Sequence, residues 1–135
     1  MRCDHLDAGT CHSCSLLPQP YERQLAEKVD AVVAALAHVP GSQEIRWLSP
    51  ASSPEEGFRT SVKLVVGGSR RRPTLGILGP DRRGVDLPGC PIQHPAINRA
   101  TPGLKRFIRA LDLTPYDVPT KRGELKNILV TVGAE

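Results

Sequence analysis

The sequence predicts an α+β domain: an antiparallel sheet with two or three helices. Two segments have the apolar spacing of amphipathic helices, four short segments read as strands, and only short turns separate the first three strands. The chain has 135 residues, enough for one domain with its own core. We therefore predict a single domain over residues 1–135, with a Cys-rich loop and a helix in 1–41 and a basic sheet with one helix in 58–135.

The first long helix is predicted in the segment QPYERQLAEKVDAVVAALAHVPG. Pro20 suits the first helical position, and Pro40-Gly41 ends the segment. Apolar side chains recur along one stripe at helical spacing, and we expect this stripe to lie in the core. Its members are Tyr21, Leu25, Val29, Val32, Val33 and Leu36.

Four strands follow a loop over residues 42–57. FRTSVKLVV alternates, with Val62 and Leu64 on one side and Arg59 and Lys63 on the other, which indicates a half-buried strand with a basic open face. TLGIL and VDL follow after short turns and predict antiparallel hairpins. ELKNILVTV is the last strand, and because no neighbour or edge-blunting feature follows it, we expect the chain to be cut off there.

A second helix is predicted between the third and fourth strands. Thr101 is expected to cap it, with Pro102 at its first position. The expected apolar stripe comprises Leu104, Phe107, Ile108 and Leu111.

Charge is divided unevenly along the chain, whose formal net charge is +4. Residues 1–57 carry four Lys/Arg and eight Asp/Glu, a net −4, whereas residues 58–135 carry fourteen and six, a net +8. A basic half suggests a surface that meets a polyanion, and a merely solvated basic surface fits equally well. The longest apolar runs fall short of the ~20 residues that span a bilayer, and the N-terminus has no secretory pattern. We expect a cytoplasmic protein without membrane contact.

Three of the four cysteines lie within the first fourteen residues: Cys3, Cys11 and Cys14, the last two as C-x-x-C. Cys90 stands alone in LPGCPI, where Gly89 allows a close turn. Structural disulfides are rare in the reducing cytosol. Three clustered thiols and one distant thiol before a proline instead predict a metal or cluster site. By spacing alone, an iron–sulfur cluster and a four-thiolate zinc site both remain open.

Several segments resemble, in order and spacing, the N-terminal part of the bacterial 23S rRNA (uracil-5-)-methyltransferases of the RlmC (RumB) type. They are MRCDHLDAGTCHSC, EEGFRTSVKLVVGG, VDLPGCPI and LTPYDVPTKRGELKNILVT, and the resemblance covers nearly the whole chain. In that family the matching cysteines bind a [4Fe-4S] cluster, which implies Cys3, Cys11, Cys14 and Cys90 as ligands here. The resemblance also implies 23S rRNA as partner and S-adenosylmethionine as cofactor of the full-length protein. No protein partner is predicted.

The catalytic parts that this resemblance implies are not visible in the sequence. No Gly-rich loop opens a helix after a strand, so a Rossmann-like S-adenosylmethionine domain is not expected within the chain. With all four thiols assigned to the cluster, none is left to attack uracil. We expect this chain to be inactive alone, with the methyltransferase domain downstream. The strand also has Ser61 where the family usually has a lysine.

Basic residues on the open strand face and adjoining turns are the candidate RNA contacts. Phosphate contacts by such groups supply affinity and placement rather than sequence. With few aromatics for stacking, we expect recognition of RNA shape and backbone. The candidates are Arg59, Lys63, Arg70, Arg71, Arg72, Lys121, Arg122 and Lys126. Two other functions stay open: a free-standing zinc- or cluster-bound nucleic-acid module, and a redox or iron sensor.

Overall fold

The computed structural model describes residues 1–133; residues 134 and 135, the end of the predicted domain, lie outside the described residues. The helices are α1 (Asp4–Asp7), α2 (Tyr21–Leu36) and α3 (Pro95–Ala110), with a 3₁₀ turn at Ser42–Glu44. The strands are β1 (Ser61–Gly68), β2 (Pro73–Leu78), β3 (Gly84–Asp86) and β4 (Asn127–Thr131). They form one antiparallel sheet in the order β3-β2-β1-β4. The predicted α+β class is confirmed, and residues 1–133 contain no Rossmann-like arrangement.

The core lies on one face of the sheet, as the alternation in β1 predicts. Val62, Leu64 and Val66 are buried on this face. They pack with Leu75 of β2 and with two fully buried isoleucines of α3. Because β1 pairs with both β2 and β4, it forms the centre of the sheet and of the core.

The sheet curls strongly where β1 and β3 approach each other across β2. A Cβ on Gly67 would lie 2.6 Å from the Cα of Gly84, so neither position accepts a side chain without movement of the backbone. Thr74 of β2 lies between them and donates a hydrogen bond of 3.2 Å from its hydroxyl to the Gly84 carbonyl. These two glycines therefore set the curvature of the sheet.

α3 begins seven residues before the predicted start, so the prediction of a Thr101 cap is wrong. His94 is the N-cap: its Nδ1 accepts a bond of 3.2 Å from the Ala96 N–H, and Pro95 occupies the first turn. Thr101 is buried within the helix and donates to the Ile97 carbonyl at 3.0 Å. A Thr-Pro pair reads as a helix start, but here Pro102 lies inside α3.

The buried stripe of α3 also differs from the predicted one. Ile97, Thr101 and Ile108 are buried and Leu104 packs against the core, whereas two predicted members, Phe107 and Leu111, are exposed. Because the helix starts earlier than predicted, its contact with the core extends towards Pro95. This contact includes Ile97, which precedes the predicted helix.

The prediction that the apolar stripe of α2 lies in the core is wrong. α2 has no buried residue, and Val32 and Val33 are 49% and 39% exposed. Its contacts with the sheet and with α3 are marginal at most. The physical reason is that α3 and the partly buried Leu113 and Leu125 already pack against the core face of the sheet.

This division of the chain predicts very different costs for two Leu→Ala changes. Leu75→Ala removes a fully buried side chain and should lower the free energy of unfolding by about 2–5 kcal/mol. Leu48→Ala removes a side chain that is 76% exposed, so its effect should stay within about 0.5 kcal/mol. Urea unfolding followed by circular dichroism measures both; similar losses would contradict the assignment of the core.

Candidate metal centre and nucleic-acid interface

The N-terminal loop turns back on itself between Cys3 and Cys11. The Cys3 carbonyl accepts hydrogen bonds of 3.0 Å from the N–H groups of Leu6 and Asp7, the last two residues of α1. Gly9 has a φ of +65°, which reverses the chain after this short helix. The N–H groups of Thr10 and Cys11 then donate to the His5 carbonyl at 2.9 and 3.1 Å. The loop is therefore fixed by its own backbone.

A second loop carries Cys90 to the same region. A His5 ring nitrogen, Nε2, lies 2.7 Å from the Pro88 carbonyl and joins the two loops. The Cys90 carbonyl accepts bonds from the Gln93 N–H at 3.1 Å and from Asn98 Nδ2 at 3.0 Å. Gly89, with a φ of +67°, provides the turn before Cys90. The Cys90 loop is thus held from both sides.

The segment just before β1 positions the Cys90 loop against the sheet. Gly57 N–H donates to the Pro91 carbonyl and Arg59 N–H to the Ile92 carbonyl, both at 2.9 Å. In return, His94 N–H donates to the Arg59 carbonyl at 2.9 Å. This pairing connects the N-cap of α3, the Cys90 loop and the entry to β1.

All four thiols are free rather than disulfide-bonded, and the pKa values of Cys14 and Cys90 are affected by neighbouring cysteines. Burial raises the pKa of Cys14, and the nearby Cys11 and Cys3 raise it further, while Arg59 opposes them. Burial likewise raises the pKa of Cys90; the backbone N–H groups of Ile92 and Gln93 oppose this, and Cys14 and Cys3 add to it. Cys3 is itself buried.

The thiols do not, however, form a single-ion site. In the part of the chain that the structure describes, no three His, Cys, Asp or Glu side chains make a group that could hold a metal ion. A tetrahedral zinc site with bonds of about 2.3 Å needs sulfurs about 3.8 Å apart. The four thiols are therefore neighbours without the tight convergence that one zinc ion requires.

Two features beside the thiols had no signal in the sequence. A cavity of about 440 Å³ lies next to Cys14, with Phe58, Arg59 and Tyr21 in its wall. Phe58 is half-exposed there, although alternation groups it with the buried Val62. Asn98, whose Nδ2 holds the Cys90 carbonyl, has a buried Oδ1 without a hydrogen-bond partner among residues 1–133.

The candidate RNA-contacting cations are not all equivalent in the structure. Arg70 already has partners: its Nη1 is 2.7 Å from Asp112 Oδ2, and its Nε donates to Thr114 Oγ1 at 2.8 Å. Lys126 Nζ lies 5.2 Å from the centre of the Tyr116 ring, a cation–π contact.

Other candidates are exposed without a carboxylate partner within residues 1–133. Lys63 projects from the open face of β1, opposite the exposed Leu129 of β4. Arg59 precedes β1 and lies near Cys14, apart from the rest. The remaining exposed candidates occupy turns: Arg71, Arg72, Lys121 and Arg122. The open face is therefore less uniformly basic than its sequence predicts.

A shallow depression of about 230 Å³ lies on this open face of the sheet. Gly67, Val65 and Tyr116 line it, together with Arg82 and Arg83 of the β2–β3 turn. Arg83 also helps to hold the pKa of Asp117 below its ordinary value, after the dominant hydrogen bonds from Thr120.

No helix among the described residues has both the length and the apolar character needed to cross a membrane.

Comparison with known proteins confirms the resemblance seen in the sequence. The chain is 42% identical over 131 residues to the 23S rRNA (uracil(747)-C(5))-methyltransferase RlmC of Enterobacter sp. (strain 638). The proteins of that name from Yersinia pestis and Halothiobacillus neapolitanus (strain ATCC 23641 / c2) are 44% and 42% identical. The matches cover 97–100% of this chain but 34–35% of each relative, in its N-terminal part. The chain thus spans about a third of the length of these relatives. No family model matches it.

The raised thiol pKa values predict slow alkylation of the metal-free chain. A higher pKa leaves less thiolate at a given pH, so Cys14 and Cys90 should react with iodoacetamide more slowly than in the denatured chain, with pH profiles displaced to higher pH. Mass spectrometry of the alkylated peptides measures each site separately. Identical profiles in the folded and denatured chains would contradict the burial of these two thiols.

Proposed function

We propose that this chain is the cluster-carrying, RNA-contacting part of a cytoplasmic enzyme that methylates uracil C5 in 23S rRNA. The observation that carries the proposal is the contact between the N-terminal loop, which carries three free cysteines, and the loop that carries the fourth, through His5 and the Pro88 carbonyl at 2.7 Å. The chain's relatives, at 42–44% identity, are named as methyltransferases of this specificity. The activity and the substrate of those whole proteins come to this chain as part of the proposal.

In this proposal Cys3, Cys11, Cys14 and Cys90 would hold a [4Fe-4S] cluster. The spacing of the cysteines supports this ligand set, because three thiols close together in the sequence and a fourth that precedes a proline are typical of iron–sulfur ligation. Arg59, near Cys14, would offset negative charge there, and the backbone N–H groups of Ile92 and Gln93 would do so at Cys90.

The proposed role of the cluster is structural. When bound, it supplies a covalent cross-link between the N-terminal loop and the Cys90 loop. The Cys90 loop in turn pairs with the entry to β1, so the cross-link would fix the N-terminal loop relative to the sheet. Without it, the His5 contact to the Pro88 carbonyl is the direct hydrogen bond that joins the two loops among the described residues.

RNA contact is proposed for the basic half of the chain. Residues 58–135 carry a net +8, and several of their cations are exposed without ionic partners in the described part of the chain. Such cations bind phosphates and gain affinity from counterion release. Arg70, held by Asp112 and Thr114, is better suited to fixing its turn than to binding a phosphate.

Methyl transfer itself is assigned to the part of the relatives that this chain does not span. S-adenosylmethionine would bind there, since residues 1–133 contain no Rossmann-like arrangement. With all four thiols of this chain assigned to the cluster, none is left to attack uracil. The contribution of this chain is to hold RNA and to present a rigid, cross-linked loop.

The cluster proposal predicts metal content. The chain made and purified without oxygen should contain about four iron and four acid-labile sulfide per chain, with absorption that oxygen bleaches. Cys90→Ser should lower both contents and reduce stability, because it breaks the cross-link between the two loops. Ser15→Ala, an exposed change in the same N-terminal loop, is the control and should alter neither. Stoichiometric zinc without sulfide would contradict the proposal.

The RNA proposal predicts a position-dependent effect of salt. Changing Lys63, Arg72 or Arg122 singly to Ala should reduce the slope of log K against log salt by about 0.7 per lost phosphate contact on single-stranded RNA. Affinity should fall alike for all sequences, because phosphates carry no sequence information. Fluorescence anisotropy with an rRNA hairpin at several salt concentrations measures the slope.

Arg106→Ala and Arg109→Ala, exposed on α3, are the charge-matched controls for this measurement. Lys105 is unsuitable because its Nζ is 2.6 Å from Asp86 Oδ2 in a partly buried pair. Equal losses from the sheet variants and the helix variants would mean general attraction rather than a site on the sheet side.

A further inference from the structure

The most unusual surface of the molecule is the apolar face of α2. A helix with a stripe of Leu25, Val29, Val32 and Val33 ordinarily buries that stripe, yet α2 has no buried residue. At 1.5 Å per residue it is about 24 Å long. Helices of this length are marginal in water without packing. The stripe, in which Val32 and Val33 are exposed and Leu25 and Val29 are half-buried, therefore needs a covering surface.

The chain that follows α2 extends this apolar surface. From residue 45 to 54 it has neither helix nor strand, although it carries Ile45, Trp47 and Leu48. All three side chains are exposed, Leu48 by 76%. A groove of about 280 Å³ lies between α2 and this segment, with Val29 and Val32 on one wall and Trp47 and Leu48 on the other. Contiguous apolar exposure of this kind marks an interaction surface.

Local hydrogen bonds hold this surface in shape. The hydroxyl of Tyr21, at the start of α2, accepts a bond of 2.9 Å from the Ser53 N–H. Gln24 Nε2 donates to the carbonyls of Leu16 and Gln19 at 3.0 and 2.9 Å. The two walls of the groove are thus joined at one end, and the helix is connected to the loop that carries Cys14. A preorganised apolar surface costs little ordering entropy when a partner binds.

We propose that α2 and residues 45–50 form a docking face for the polypeptide that corresponds to the remaining two thirds of the curated relatives. This inference rests on the proposed function, which assigns methyl transfer to that part. The argument for this occupant is length: the relatives continue well beyond the third that this chain matches. The occupant can be joined to this chain or be separate from it.

This placement has a mechanical consequence for the cluster loop. Cys14 lies seven residues before α2, and the Leu17 N–H donates to its carbonyl at 3.0 Å. Since Gln24 of α2 binds the Leu16 carbonyl, a partner that holds α2 also fixes the position of Cys14. Docking would thus set the orientation of the catalytic part relative to the cluster loop and to the RNA-contacting sheet.

The test joins this chain to the part of the Yersinia pestis relative that follows the matched segment, and compares this chimera with the chain alone. Hydrogen exchange of residues 21–36, read by mass spectrometry, should be slower by at least about tenfold in the chimera. Leu48→Asp should return the exchange of α2 towards the rate in the chain alone, since it places a charge in an apolar contact. Leu129→Asp, at a leucine of matched exposure on the open sheet face (73% against 76%), should leave it unchanged.

Equal exchange of α2 in the chimera and in the chain alone would overturn the proposal. Equal effects of the two substitutions would also overturn it. If the chain alone forms a dimer that Leu48→Asp dissociates, and α2 gains no protection in the chimera, a second copy is the occupant instead. An insoluble chimera is replaced by co-expression of the two parts: co-purification that Leu48→Asp abolishes and Leu129→Asp preserves supports the proposal, and any other result counts against it.

Methyl transfer to rRNA by the chimera is measured in parallel. Protected α2 without transfer means that the proposed function fails while the docking face stands. Methyl transfer without protection of α2 means that the proposed function stands while the docking face fails.

Discussion

The structure depends on the link between two loops, one near the N-terminus and one just before α3. Residues 1–56 bury few side chains, among them those of Cys3 and Met1. A direct contact of these residues with the rest of the domain is that of the His5 ring, whose Nε2 lies 2.7 Å from the Pro88 carbonyl. Exposed contacts of this kind contribute little each. The proposed cross-link through the four thiols would therefore strengthen the attachment of the N-terminal loop at this point.

Around this link the chain separates into a packed half and an open half. In the packed half, β1 lies at the centre and α3 covers the core face of the sheet. The sheet curls where Gly67 and Gly84 approach each other beside Thr74. In the open half, α2 keeps its shape through local bonds without reaching this core. The Cys90 loop belongs to the packed half, and the other three cysteines belong to the open half. The four thiols therefore lie at the boundary between the two halves.

Much of the fold could be predicted from local patterns, and the errors have identifiable causes. Alternation in β1 predicted Val62 and Leu64 as core residues because the period of a strand fixes its faces. For α2, periodicity identified the helix but not its surroundings, since an amphipathic stripe looks the same whether or not a surface covers it. For α3, Pro95 and Pro102 each suit the first position of a helix. The hydrogen bond that the Ala96 N–H donates to the His94 ring shows that the helix starts at Pro95. The exposed Phe58 beside Cys14 had no sequence signal, because loop geometry exposes it.

The uneven charge of the chain acquires a physical meaning from this division. The acidic half carries the uncovered groove between α2 and residues 45–50, whose lining is mainly apolar and therefore suits a polypeptide rather than a polyanion. The basic half carries the exposed cations and few aromatics, which suits phosphate contacts rather than base stacking. Arg59 is the exception that connects the two: it enters β1 from the loop side, and it lies near Cys14. A chain arranged in this way keeps its two proposed partners on different surfaces, and the proposed cluster at the four thiols would fix the relative position of those surfaces.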